Sequence, residues 1–254
     1  VLSFVAGLLA GPVFGLDPTR SGNADAAPAE VVVASTPAAA PVRASTSPTA
    51  TPSATPTACK GATDTRRTTK ARAEPFTVCG VALINRNHKV TAAYSPKLVT
   101  VHVRASGVPS VKLQPTAATA LVEFFAAAKA AGYTPVVRSS YRSYATQATW
   151  YATMSHALTA QPGASEHQSG LAVDLAGIER GRLVRGTALA GSRTGAWLLK
   201  NAATYGFILR YPTSESAITG IAYEPWHFRY VGVKVAKGVN ATKTKTLERY
   251  LEVN

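Results

Sequence analysis

Acidic side chains are few: 13 Asp and Glu stand against 27 Lys and Arg, a formal net charge of +14. Such an excess points to an anionic partner, with nucleic acid, anionic membrane and anionic cell wall as the classes to separate. It also fits a surface over which Arg and Lys are simply spread. No dense basic run carries interleaved aromatics, which disfavours nucleic acid. Cysteine is nearly absent, and Cys59 and Cys79 are the only two. Two thiols this far apart make no familiar zinc spacing, so their expected use is one disulfide in an exported protein. Closing that loop would contribute about 3 kcal/mol in the chain-entropy model. Long apolar runs are lacking as well. Val1 to Leu16 carries no charge but is broken at Gly11-Pro12, and it is short for a span of about 20 residues. Residues 1–20 therefore read as the rest of a signal peptide or membrane anchor whose start lies upstream, a cleaved signal being favoured.

From residue 21 to 58 the chain is dominated by Ala, Pro, Thr and Ser, as in AEVVVASTPAAAPVRASTSPTATPSATPTA. That composition cannot bury a core and reads as a disordered linker. Residues 59–254, 196 residues of ordinary composition, are long enough for one domain with a real core. Phe76 to Leu83 is expected as a strand. Pro115 to Ala131 is the clearest helix, with Pro at its first turn, Leu121, Phe124, Phe125 and Ala128 on an apolar stripe, and Gly132 as its stop. Tyr133 to Val137 follows as a strand and Tyr144 to Leu158 as a second helix. Ala176 to Arg193 reads as an exposed loop, Thr194 to Tyr205 as a helix with Trp197, Leu198 and Ala202 inward, and Phe207 to Arg210 as a strand. Ile221 to Val231 is rich in β-formers. The tail ends in an expected helix, Thr244 to Val253, and shows no chemistry of its own.

The chemistry centres on Pro162 to Leu175, PGASEHQSGLAVDL. It begins as a turn and finishes as a strand in which Leu171, Val173 and Leu175 alternate with Ala172 and Asp174, so Asp174 points away from the apolar face. An imidazole at His167 and a carboxylate at Asp174 are ligand types suited to zinc, but a catalytic zinc needs a third protein ligand and an open position. Glu224-Pro225-Trp226-His227 supplies His227 as that ligand and Glu224 as a general base. Ser139 to Ser143 occupies a strand-to-helix junction, where backbone N–H groups and polar side chains can face a ligand, and an anion-binding role suits Arg142. His88, His102 and His156 have no partner at ligand spacing and read as surface or packing residues.

These segments resemble a known family, the VanY-type D-alanyl-D-alanine carboxypeptidases, zinc metallopeptidases of the bacterial cell wall. The resemblance runs from about Leu113 to Gly232. It is carried by SSYRSYATQ (Ser139 to Gln147), PGASEHQSGLAVD (Pro162 to Asp174), WLLKNAATYGFILRYP (Trp197 to Pro212) and YEPWHFRYVG (Tyr223 to Gly232). It implies an α+β fold, a single domain with a central antiparallel sheet, helices packed on it and a zinc cleft. It implies that His167, Asp174 and His227 bind one Zn2+, that Glu224 is the catalytic base, and that Arg142 stabilises the reacting carbonyl or holds substrate. Ser165 and Gln147 would line the substrate pocket, and Ser139 and Ser140 would add donors for a terminal carboxylate. The implied partner is a peptidoglycan stem peptide within an anionic cell wall, the membrane being met only through an uncleaved N-terminal segment. Two rivals stay open: a peptidoglycan endopeptidase with the same zinc site, and a wall-binding module without turnover.

Overall fold

The computed structural model describes residues 70–243 and 245–251. The expected signal or anchor, the linker and Cys59 lie outside the described residues. Among the described residues no helix is long and apolar enough to cross a membrane.

A polar site needs a wall that is apolar on one side only, and strand alternation builds it. The chain forms two short hairpins, β1 (Phe76–Val78) with β2 (Val81–Leu83) and β3 (Val99–Val101) with β4 (Val111–Leu113), followed by helix α1 (Pro115–Ala130). Strand β5 (Pro135–Ser139) leads to helix α2 (Tyr144–Thr153), and a 3-10 turn at Glu166–Ser169 leads to β6 (Ala172–Glu179) and β7 (Arg182–Val184). Helix α3 (Arg193–Asn201), strand β8 (Phe207–Leu209), the single turn α4 (Ser216–Thr219), strand β9 (His227–Tyr230), and helices α5 (Val233–Ala241) and α6 (Leu247–Leu251) complete the order. The central sheet runs β5-β6-β9-β8 with β7 on the far half of β6, and all its pairings are antiparallel.

Odd and even positions of β6 and β9 part company. Val173, Leu175 and Phe228 face a core shared with Leu121, Phe124 and Phe125 of α1, Leu198 of α3 and Phe207. Full burial of each such side chain is worth roughly 1.5–3 kcal/mol. Asp174, His227 and Arg229 lie on the opposite face, where a second core joins β1, β2, Ile208, α5 and α6. The α+β architecture with a central antiparallel sheet is thus the one expected.

Several local expectations change. Phe76 to Leu83 is a hairpin rather than one strand, because Cys79 (φ 49°) and Gly80 (φ 77°) both take left-handed backbone, the requirement of a two-residue turn that matches strand twist. The same turn recurs at Arg180 (φ 49°) and Gly181 (φ 75°), so part of the segment expected as an exposed loop, Ala176 to Arg193, is the end of β6 and all of β7. Helix α2 stops at Thr153, short of Leu158. Met154 turns extended (φ −116°, ψ 166°), and the returning chain brings the Ala160 carbonyl to the Gln147 amide, 2.6 Å away. Helix α3 passes into a 3-10 turn at Ala202–Tyr205 and ends at left-handed Gly206, φ 78°. Only His227–Tyr230 of Ile221 to Val231 is strand, since Pro225 cannot donate to a ladder. The tail holds two helices, α5 and α6, where one was expected.

Candidate metal centre

The site is assembled by register. Across the sheet Ser139 pairs with Asp174 and Asp174 with His227, so the two ligating groups stand side by side on one face. A bulge between Val137 and Ser139 on β5 makes the first pairing. Its extra residue, Arg138, turns away and donates to the Ser106 carbonyl at 2.6 Å. His167 comes from the 3-10 turn. Gly163 (φ +87°) starts the approach, and a Cβ there would overlap the Val90 carbonyl oxygen. Its N–H donates to Gln168 Oε1 at 2.8 Å, which locks the turn from within.

One ligand atom from each of His167, Asp174 and His227 lies within 4.8 Å of the others. His167 Nε2 is 3.3 Å from Asp174 Oδ2, and His227 Nδ1 is 3.2 Å from Asp174 Oδ1. The far nitrogen of His167, Nδ1, donates to the Ser140 carbonyl at 2.7 Å, which leaves the Nε2 lone pair facing Asp174. Burial pushes the His167 imidazole below its ordinary pKa, with Arg142 adding to the effect and Asp174 opposing it, so it stays neutral as a ligand must. His227 behaves oppositely. Burial opposes its protonation, but the neighbouring carboxylates of Asp174 and Glu166, together with the charge of Glu224, raise it to about 9. A proton there stands in for a cation: the pocket around Asp174 demands positive charge, and the three-residue donor set is one that zinc takes. The residues fit the metal.

Around this centre is a cleft of about 180 Å³, walled by Arg142, Ser165, Tyr211 and Glu224, with Trp150 and Leu158 at an apolar rim. Glu224 approaches His227 Nδ1 to 3.6 Å. Burial raises its carboxyl to about 8, with Asp174 adding to the effect and His227 and Arg142 opposing it. Arg142 donates to Gln147 Oε1 at 2.6 Å and reaches Ser139 and Ser165 hydroxyls at 3.4 Å each. Its guanidinium lies over the Trp150 ring, 3.9 Å from the centroid.

Of the residues singled out from the sequence, His167, Asp174, His227, Glu224, Arg142 and Ser165 all line this cleft. Gln147 is fully buried, with its amide divided between Arg142 and the Ala160 carbonyl, so it stands behind Arg142. Ser140 is also buried. Its hydroxyl accepts from the Lys112 N–H at 3.1 Å and its carbonyl serves His167, while Ser139 borders a neighbouring groove. His88, His102 and His156 lie outside the cluster.

Sequence reasoning missed a buried charge network beneath the site. Glu166 Oε1 accepts from Arg210 at 2.8 Å and from Arg229 at 2.7 Å, and Arg210 makes two further bonds to Glu248 at 2.9 and 2.6 Å. Asn85 donates to Glu248 at 3.1 Å. Glu248 belongs to the tail that was expected to carry no chemistry. A signal was present: in a strand with His227 on the site face, Arg229 two residues on must share that face, and a buried arginine needs an acid.

Two imidazoles and a carboxylate around one point, with a carboxyl and a guanidinium across the cleft, define a mononuclear metallopeptidase. A family model described as VanY, D-alanyl-D-alanine carboxypeptidase, matches residues 110–233. The putative carboxypeptidase YodJ of Bacillus subtilis (strain 168) is 37% identical over 184 residues, 68% of this chain and 67% of its own length. Among solved structures, the LdcB LD-carboxypeptidase superposes with a TM-score of 0.62 at 34% identity, over 71% of this chain and 94% of its own. The vancomycin resistance D,D-pentapeptidase VanY in complex with Zn(II) does so with a TM-score of 0.55 at 31% identity, over 66% and 97%. The chain belongs to the VanY D-alanyl-D-alanine carboxypeptidase family. It is a zinc metallopeptidase.

Proposed function

We propose that this chain hydrolyses the terminal D-alanyl-D-alanine bond of peptidoglycan stem peptides, with zinc held by His167, Asp174 and His227. The observation that carries the reading is the convergence of those three ligand atoms within 4.8 Å, in one cleft with Glu224 and Arg142. Zinc supplies Lewis acidity toward the scissile carbonyl and the attacking water. The protein's own groups do the rest. Glu224 takes the water's proton as the new C–O bond forms, then delivers it to the amine of the leaving D-alanine as the C–N bond breaks. Arg142 supplies positive charge where the oxyanion or the substrate's free carboxylate sits. Its hydrogen bond to Gln147 and its packing on Trp150 fix that guanidinium before substrate arrives.

The same proposal places the protein outside the cytoplasm, exported by its first 20 residues and carried on the linker of residues 21–58, with Cys59 bonded to Cys79. Cys79 is not a free thiol, which supports the pairing. The net charge of +14 suits an anionic wall. Release of D-alanine from a pentapeptide by the zinc-loaded protein, abolished by a chelator and restored by zinc, is the expected result. Binding of the peptide without release would support the wall-binding module instead. A second reading draws on the likeness to the LdcB LD-carboxypeptidase at a TM-score of 0.62. In that case the tetrapeptide would lose its terminal residue faster than the pentapeptide.

A further inference from the structure

The two candidate histidine ligands use different nitrogens, and each needs its other nitrogen occupied. For His167 the Ser140 carbonyl meets that need. For His227 the group in place is a carboxylate. Glu166 Oε2 and His227 Nε2 are both buried, have no hydrogen-bond partner among the described residues, and lie 3.6 Å apart. That gap is longer than a hydrogen bond and too short to admit a bridging water. Closing it by a few tenths of an ångström removes two burial penalties at once. Glu166 cannot swing elsewhere. Its other oxygen is pinned by Arg210 and Arg229, which are themselves anchored on Glu248 and the Ala82 carbonyl.

We propose that Glu166 is a positioning residue for the metal: it accepts the Nε2–H of His227, fixes that tautomer, and so presents the Nδ1 lone pair to zinc. The inference rests on His227 being a zinc ligand. Ser165, Glu166 and His167 are consecutive, so one turn would supply a contact to Arg142, the orienting group for one ligand, and the other ligand itself. The ion network then has a purpose beyond cohesion: it holds a carboxylate at a fixed position and fixed charge behind the metal.

The test uses the full chain. Long-range 1H–15N spectra of the zinc-loaded wild type, labelled at histidine, should show His227 protonated at Nε2, with no proton on Nδ1. A bare Nε2 would overturn the proposal, and this readout needs no variant to fold. Glu166→Gln inverts the contact by pointing an amide N–H at the His227 N–H. Competition with a chromogenic chelator should show zinc affinity reduced 10- to 100-fold. Glu248→Gln breaks the same network without touching His227, and should shift zinc affinity by less than about 3-fold, the ordinary context scatter for an indirect contact. Equal losses in the two folded variants would reduce Glu166 to an ion-pair partner of the arginines, and an unchanged affinity in Glu166→Gln would overturn the proposal outright. His227→Ala that keeps wild-type zinc would instead remove His227 from the ligand set, a separate failure.

Discussion

Glu224→Gln should separate the cost of the base from its use. In the metal-free protein, burial raises the Glu224 carboxyl from 4.5 to about 8, with Asp174 adding to the effect. A displacement of that size corresponds to about 5 kcal/mol against the ionised form. The sign follows from proton binding: between those values the folded state holds a proton that the unfolded chain has lost, so stability falls as pH rises. Glutamine cannot titrate, so the stability difference between variant and wild type should grow with pH by about 1.4 kcal/mol per unit. The window from pH 5 to 6.5 isolates the effect. In that window Glu224 is protonated in the folded state, so His227 has a neutral neighbour in both proteins and its raised pKa adds the same slope to each. His167, lowered by burial, titrates alike in both proteins. Across that window the gap should widen by about 2 kcal/mol, or roughly 4–8 °C in Tm for a domain of this size. The assay is thermal unfolding of chelator-treated protein at several pH values. Parallel Tm curves for the two proteins would refute the burial argument. In the zinc-loaded state the same variant should keep its metal and lose at least about 10²-fold in kcat. Full turnover would make Glu224 structural.

The other predictions are briefer. His167→Ala and His227→Ala should each lose the one zinc per chain found in wild type by elemental analysis; full zinc in either variant strikes that residue from the ligands. Burial opposes ionisation of Glu166 and Asp174, but Arg210 and Arg229 for the first, and His167 and His227 for the second, hold both well below the usual carboxylate range. Their stabilisation is full above the ordinary values and lost as pH falls through the folded ones, so the metal-free domain should unfold in acid, and urea midpoints that stay flat from pH 5 to 2 would contradict this. Protein made in an oxidising compartment should show no free thiol on denaturing titration, and two thiols per chain would disprove the Cys59–Cys79 pairing.

What could be read from the sequence was what sits close together in it. Helix α1 carries its own start, stripe and stop, and Arg142, the three candidate ligands and Glu224 fall in three short segments. What could not be read depended on pairing across long separations. Arg210 and Glu248 stand 38 residues apart and Arg229 and Glu166 63 apart, and in a chain this basic each arginine looks like one more solvated charge. The second serine of the SSYRS junction faced the wrong way for a similar reason. Contacts distant in sequence, the Lys112 N–H on its hydroxyl and the His167 ring on its carbonyl, decide how Ser140 sits. The two tight hairpin turns were within reach, since Cys79-Gly80 and Arg180-Gly181 each set a glycine between residues of strand character, but Cys and Arg are uncommon in left-handed backbone.

The most direct measurement compares a pentapeptide ending in D-alanyl-D-alanine with its C-terminal amide, following products by mass spectrometry with the zinc-loaded protein. A carboxypeptidase must hold the free carboxylate, and Arg142 is the cation lining the cleft beside Ser165. Loss of that charge-assisted contact costs roughly 2–3 kcal/mol, so the amide should be cut about 30- to 150-fold more slowly in kcat/KM. Arg142→Lys should fall partway on the acid, because it keeps the charge and loses the planar fork. The account predicts loss of a single D-alanine from the acid and little from the amide. Equal rates on both, or cleavage at an internal bond, would contradict it and leave the endopeptidase standing.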